Sequence, residues 1–205
     1  MFLTGFFDIF YQNLLQSTWL EAIAVLLGLM SVWYAKKANI LVYPTGIVSV
    51  LIYVFLCYYA GLYADMGINF FYFVVSIYGW YKWTRKDDAN NELPISRCSP
   101  TQHLAGIVAA VFFFLVLQYV LRHYTDSTVP YVDSFTTAIF IVGMGLMALK
   151  KIENWIYWII GDLVSIPLYF HKDLVLTSFQ YLIFLILAIL GYLEWQRKLK
   201  QPVLG

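Results

Sequence analysis

Charge is what this sequence has least of. Lys, Arg, Asp and Glu make up 12% of its 205 residues, against about 25% in a soluble domain. Too few charges are present to coat a globular surface, which excludes a water-soluble fold. Cysteine is nearly absent. Cys57 lies in an apolar stretch and Cys98 in a polar one, so there is no disulfide framework and two free thiols are expected. The three histidines, His103, His123 and His171, are far apart and lack the spacing of a metal site; no metal and no cofactor is expected. No G-x4-G-K-[ST], G-x-S-x-G or H-E-x-x-H occurs, which removes the usual ATPase, serine hydrolase and zinc protease signatures. No nucleophile, acid–base pair or metal set converges, so the chain does not read as an enzyme. The last apolar stretch has no Lys between Lys172 and Arg197, which excludes a retinal Schiff base there. With a net charge of +1 and no basic patch on a soluble background, nucleic acid is not an expected partner.

What the sequence does have is apolar length. Hydrophobic residues make up 61% and aromatic residues 20% of the chain. Stretches of about 17–20 apolar residues, enough to cross a bilayer as a helix, recur at roughly 19–35, 40–58, 67–83, 102–121, 132–149, 154–170 and 175–194. A seven-span all-α membrane protein follows, with lipid as its surroundings. The N-terminal MFLTGFFDIFYQNLLQST has no basic residue ahead of its apolar ones and no small-residue cleavage site, unlike a signal peptide. Its apolar residues mixed with Asp8, Gln12, Asn13 and Gln16 predict an interfacial helix.

Seven spans sort the cations. One side receives Lys36, Lys37, Lys82, Arg85, Lys86, Arg97, Lys150, Lys151, Arg197, Lys198 and Lys200; the other receives Arg122 and Lys172. Cytoplasmic loops carry the excess of Lys and Arg, so the N-terminus is expected outside and the C-terminus inside.

Two stretches repeat. G-W-Y-K-W-T-R-K at 79–86 and G-Y-L-E-W-Q-R-K at 191–198 share G-x3-W-x-R-K, at the offset that takes Gly79 to Gly191. Asn39, Tyr43 and Gly46 align with Asn154, Trp158 and Gly161 at an offset longer by three positions, each set on one helical face. This second alignment makes Ile47 the counterpart of Asp162 and places a length difference of three positions in one connecting loop. The expected organisation is two parallel three-helix repeats joined by a linker helix, 3+1+3, as in SWEET-like carriers. The boundaries are an interfacial segment at 1–18, the first repeat at 19–86, a cytoplasmic loop at 87–101, the linker helix and an outer loop at 102–131, the second repeat at 132–198 and a cytoplasmic tail at 199–205.

Charged residues inside a membrane are rare and face the bundle interior or a cavity. Asp162, inside the sixth span, is therefore the leading site candidate, with internal helix-to-helix bonding as the alternative. Trp155, Trp158 and Asp162 share one face, with Asn154 a turn away. Rings beside an amide and a carboxylate suit a flat heteroaromatic ring, and a cationic one most, since Trp faces attract cations. An interfacial Trp belt is the alternative for Trp155. Asn69, Tyr72 and Ser76 form a polar stripe on the third span, with Trp80 beside them, and Gln180 stands near the level of Asn69 on the seventh; amides here face protein or ligand. Pro44 and Pro167 are candidate hinges.

V-Y-P-T-G-I-V-S-V-L-I-Y-V-F at 42–55, Y-G-W-Y-K-W at 78–83, K-K-I-E-N-W-I-Y-W-I-I-G-D at 150–162 with S-I-P-L-Y at 165–169, and Q-Y-L-I-F-L-I-L-A-I-L-G-Y-L-E-W at 180–195 together resemble the PnuC family of bacterial vitamin transporters over about residues 19–198. The resemblance implies uptake of nicotinamide riboside, with relatives specific for thiamine or riboflavin. It implies facilitated diffusion across the inner membrane, trapping of the vitamin by phosphorylation, a duplicated fold related to the SWEET carriers, and homotrimers. A ligand-sensing receptor is the reading from another class.

Overall fold

The structure, a computed structural model, describes residues 18–86, 92–172 and 174–200. Those residues form seven helices: α1 (Trp19–Lys36), α2 (Val42–Tyr59), α3 (Tyr63–Thr84), α4 (Pro100–Tyr124), α5 (Pro130–Ala148), α6 (Asn154–His171) and α7 (Val175–Lys200). All seven fall where apolar stretches predict them. The third begins at Tyr63 rather than near 67, and the seventh runs on to Lys200. The expected N-terminal interfacial helix lies outside the described residues. Five helices, α1, α2, α4, α5 and α7, are long and apolar enough to cross a membrane. The other two, α3 and α6, carry most of the candidate site residues, whose amides, hydroxyls and Asp162 lower their apolarity.

Local signals set the ends. Thr18 caps α1 by accepting the backbone N–H of Glu21 at 3.2 Å. At α4, Ser99 and Gln102 form a reciprocal capping box with Pro100 at the first helical position, where its missing N–H costs nothing. The ends of α1 and α5 are built alike. Ala38 (φ 56°) and Lys150 (φ 54°) are left-handed. Behind them Asn39 N–H bonds Tyr34 O at 3.0 Å, and Lys151 N–H bonds Leu146 O at 2.9 Å. This closure satisfies the last carbonyls and turns the chain straight into the next helix.

The principal helix contacts are α1 with α2, α2 with α3, α3 with α5, α5 with α6, α6 with α7, and α7 with α1. They close a ring of six, and α4 packs against α5 outside it. Large apolar side chains such as Leu104, Phe112 and Leu115 of α4 and Leu26, Phe55 and Phe70 elsewhere point outward, as a lipid-facing surface requires. The tightest packing lies at the end of the ring that bears the Lys and Arg excess. There Ala35, Val42, Tyr43, Trp83, Met144, Met147, Ile152, Trp155, Ala188 and Trp195 form one cluster.

Within that cluster, contacts recur at the offset that takes Gly79 to Gly191. The Tyr43 ring meets Trp83 edge-on at 5.2 Å, and the Trp155 ring meets Trp195 edge-on at 5.6 Å. A methyl group on Gly79 would come within 2.5 Å of the Tyr43 ring, and one on Gly191 within 2.6 Å of Trp155. The two shared glycines are thus seats for these rings. The contacts follow the first alignment and not the second: Tyr43 packs on Trp83 and Gly79 as Trp155, not Trp158, packs on Trp195 and Gly191. The counterpart of Asp162 is then Val50 rather than Ile47, still apolar.

Candidate substrate-binding site

α6 brings four expected residues inward. Asn154 and Trp155, at its start, are buried, Trp155 as a member of the aromatic cluster. Asn154 Nδ2 donates to Lys151 O. Asp162, two turns further along, is 1% exposed. Next to it on the same face, Ser165 is 0% exposed. Among the described residues, the buried side-chain atoms without a protein partner are Tyr43 Oη, Asn154 Oδ1, Trp155 Nε1, Asp162 Oδ2 and Ser165 Oγ. Four of the five belong to α6. A buried polar atom left unpaired costs on the order of 1–3 kcal/mol, more if it is charged. Their concentration on one helix face marks a surface built to meet polar chemistry.

Beside Asp162 stands a ladder of rings. Trp158 stacks on Phe140 at 5.2 Å and 28°. Phe140 lies near-parallel to Tyr181 at 6.0 Å and 13°, and Tyr181 to Tyr169 at 5.0 Å and 12°. The Tyr169 and Tyr181 side chains are neighbours. Tyr181 of α7 lies near Tyr72, Tyr169 and Asp162, so α3, α6 and α7 meet at this level. Tyr72 is half-buried and Ser76 is buried. Phe140, Tyr169 and Tyr181 are absent from the residues expected from sequence. Carried through consistently, the offset between Gly79 and Gly191 pairs Asn69 with Tyr181 and would have drawn attention to that position.

The remaining expected residues are not brought to this cluster. Asn69 Nδ2 bonds its own helix at Asp65 O, 2.9 Å away. Gln180 lies beside Tyr53 of α2. Trp80 is 40% exposed and points away from the cluster, because Ser76, Gly79 and Trp83 take the inward face of α3. Pro44 sits in the first turn of α2, where N–H groups have no helical partner, so it starts the helix rather than bending it. Of the two expected hinges, only Pro167 is inside a helix.

Each end of the bundle carries its own charges. At the basic end, Lys150 Nζ lies 4.4 Å over the Trp83 ring; burial pushes its ammonium down from the ordinary value, with Glu92 opposing. Backbone bonds from Ser96 N–H to Lys150 O at 3.1 Å and from Ile152 N–H to Ser96 O at 3.0 Å pin the 92–99 segment there. At the other end, Lys172 Nζ holds Asp133 at 2.7 and 2.9 Å, and Ser127 Oγ donates to the same carboxylate at 2.6 Å.

Residues 18–197 match the family described as nicotinamide mononucleotide transporter. The chain belongs to that family. Among its relatives, the nicotinamide riboside transporter PnuC of Escherichia coli (strain K12) is 27% identical, the match covering 87% of this chain and 85% of the relative. The riboflavin/roseoflavin transporter RibM of Streptomyces davaonensis is 26% identical over 97% of this chain and 94% of its own length. A crystal structure of the vitamin B3 transporter PnuC superposes with a TM-score of 0.72 at 25% identity, covering 97% of this chain and 91% of that one. The protein is thus a PnuC-family membrane transporter of a small vitamin, with the helical fold of that family.

Proposed function

We propose that the chain imports nicotinamide riboside across the bacterial inner membrane by facilitated diffusion with alternating access, and that phosphorylation inside the cell traps the vitamin. One observation carries the reading: Asp162 is buried with Oδ2 unpaired, beside the face-to-face rings of Trp158, Phe140 and Tyr181. Nicotinamide riboside offers a flat cationic pyridinium for the rings and the carboxylate, and a carboxamide and ribose for the buried hydroxyls and amides. The sign of the charge favours the riboside over the mononucleotide. A phosphate would meet no cation beside Asp162, since Lys150 and Lys172 are engaged at opposite ends of the bundle.

Two parallel repeats, α1–α3 and α5–α7 with α4 as linker, are supported by the closed ring and the recurrence of contacts at one offset. The boundaries expected from sequence follow from that division. Alternating access would then work at the two seams between repeats, α3 with α5 and α7 with α1. The segregation of Lys and Arg supports an outer N-terminus and a cytoplasmic C-terminus. We extend the proposal to a homotrimer and to Tyr72, Ser76, Asn154, Trp155, Trp158 and Asp162 as the substrate path, with Pro167 as hinge.

The likeness to RibM favours a second reading, a riboflavin carrier of the same fold; thiamine, also a cation, is the third, and a ligand-sensing receptor the reading from another class. Calorimetric titration of the purified protein with each vitamin, followed by uptake into empty proteoliposomes, decides among them. Tight binding of nicotinamide riboside and equilibrating, pH-gradient-independent uptake are expected. Binding without uptake would indicate a receptor, and uptake driven by a pH gradient would overturn facilitated diffusion.

A further inference from the structure

Phe140 has a place in the second half of the ring that nothing fills in the first. It is 6% exposed and lies flat against Gly161, where any methyl group would run into its ring. At the corresponding stations of the first half, Gly28 faces Ser49, with Ser49 Oγ 3.3 Å from the position of a Gly28 methyl. There α1 and α2 meet through small side chains, and Ser49 Oγ bonds Ala24 O at 2.7 Å. A ring is therefore not needed to pack this type of helix pair. Gly161 is also a poor choice for a helix interior, by about 1 kcal/mol against Ala. The close approach of Phe140 accounts for it, immediately before Asp162.

The ring fills a slot bordered by the near-parallel rings of Trp158 and Tyr181. A flat ring is the shape that such a slot admits. An apolar cavity left by removing an interior ring stays dry and takes up flat aromatic molecules. We infer that Phe140 is the specificity-determining residue for ring size: by occupying the Trp158–Tyr181 slot it confines the site to a single heteroaromatic ring and excludes a fused three-ring flavin. This rests on the proposed carrier function and deepens it.

The test measures the affinities of nicotinamide riboside and riboflavin for the purified full chain and for Phe140→Ala, Phe140→Val and Phe140→Leu, with thermal melting of each. The riboflavin-to-nicotinamide-riboside affinity ratio is expected to rise at least tenfold in Phe140→Ala, less in Phe140→Val, and least in Phe140→Leu, which keeps most of the volume. Should Phe140→Ala not fold, the order of the Val and Leu variants carries the same test. A folded small-residue variant with an unchanged ratio overturns the inference and leaves the carrier function standing. Wild-type protein that prefers riboflavin also overturns it, while keeping the transporter class. Wild-type protein that binds neither vitamin overturns both, and is seen before any variant is made.

Discussion

Trp195, near the end of the last helix, donates its indole N–H to the carbonyl of Ala35 at the end of the first, at 3.0 Å. The equivalent bond joins the other two ends: Trp83 donates to Met147 O at 3.3 Å. Each closes one of the two seams of the ring, and the two indoles meet at 6.1 Å between them. A membrane helix bundle gains little from hydrophobic burial against lipid, so such directional bonds and close packing hold its parts together. These contacts close the basic end of the ring.

Replacing either indole with a benzene ring removes the N–H donor together with part of the buried ring. Trp83→Phe and Trp195→Phe each lose one N–H donor and should cost about 1 kcal/mol, read as similar drops in melting temperature in detergent. Because the rings touch, the double variant should lose less than or more than the sum by about 0.5 kcal/mol or more. Strict additivity would show the two latches to be independent.

Asp162 distinguishes a binding role from a structural one. Asp162→Leu removes a buried carboxylate with an unpaired oxygen, so stability should hold or rise. Vitamin uptake into proteoliposomes, at matched protein incorporation, should fall at least tenfold. Wild-type uptake by this variant would sink the assignment, and a collapse of the melting temperature would mark Asp162 as internal bonding.

Two glycines make a matched pair. Gly161→Ala drives a methyl into the Phe140 ring and should destabilise by about 1–3 kcal/mol. Gly145, in the neighbouring helix, has nothing within 4 Å of an added methyl. Gly145→Ala should therefore stabilise by up to about 1 kcal/mol through helix propensity. Thermal melting of both variants gives the signs directly.

Cys98 offers a pH test outside the membrane. Burial, then the hydrogen bond and charge of Glu153, push its thiol up to about 11, and Glu153 also accepts its backbone N–H at 2.9 Å. The reactive thiolate is thus scarce at pH 8. Glu153→Gln removes an anion that opposes ionisation, so the pKa falls and maleimide labelling at pH 8 should quicken severalfold by mass spectrometry. Unchanged labelling would mean that burial alone governs the thiol.

The seven helices of the described residues were legible because apolar length is a local property: a stretch that can cross a bilayer is visible without knowing its neighbours. The basic end of the bundle was legible for the same reason, since each Lys or Arg is assigned by counting spans. Asp162, Trp155 and Trp158 stood out because charge and indole are costly or informative in an apolar background. Trp80 misled because composition cannot say which way a ring points; Ser76, Gly79 and Trp83 turn it outward. Pro44 misled because a proline's effect depends on where the helix begins, and α2 begins only at Val42.

The sequence by itself determined the class, the seven helices of the described residues, the charged faces at each end and the candidate carboxylate, because each follows from local chemistry in a solvent without water. Only the tertiary structure decided that Tyr43 packs on Trp83 as Trp155 packs on Trp195, that Phe140 lies on Gly161, and that Tyr181 stands near Tyr72 and Asp162. Those relations hold between residues on different helices, and ring-to-glycine fit depends on how closely two backbones approach, a distance no single stretch of sequence encodes.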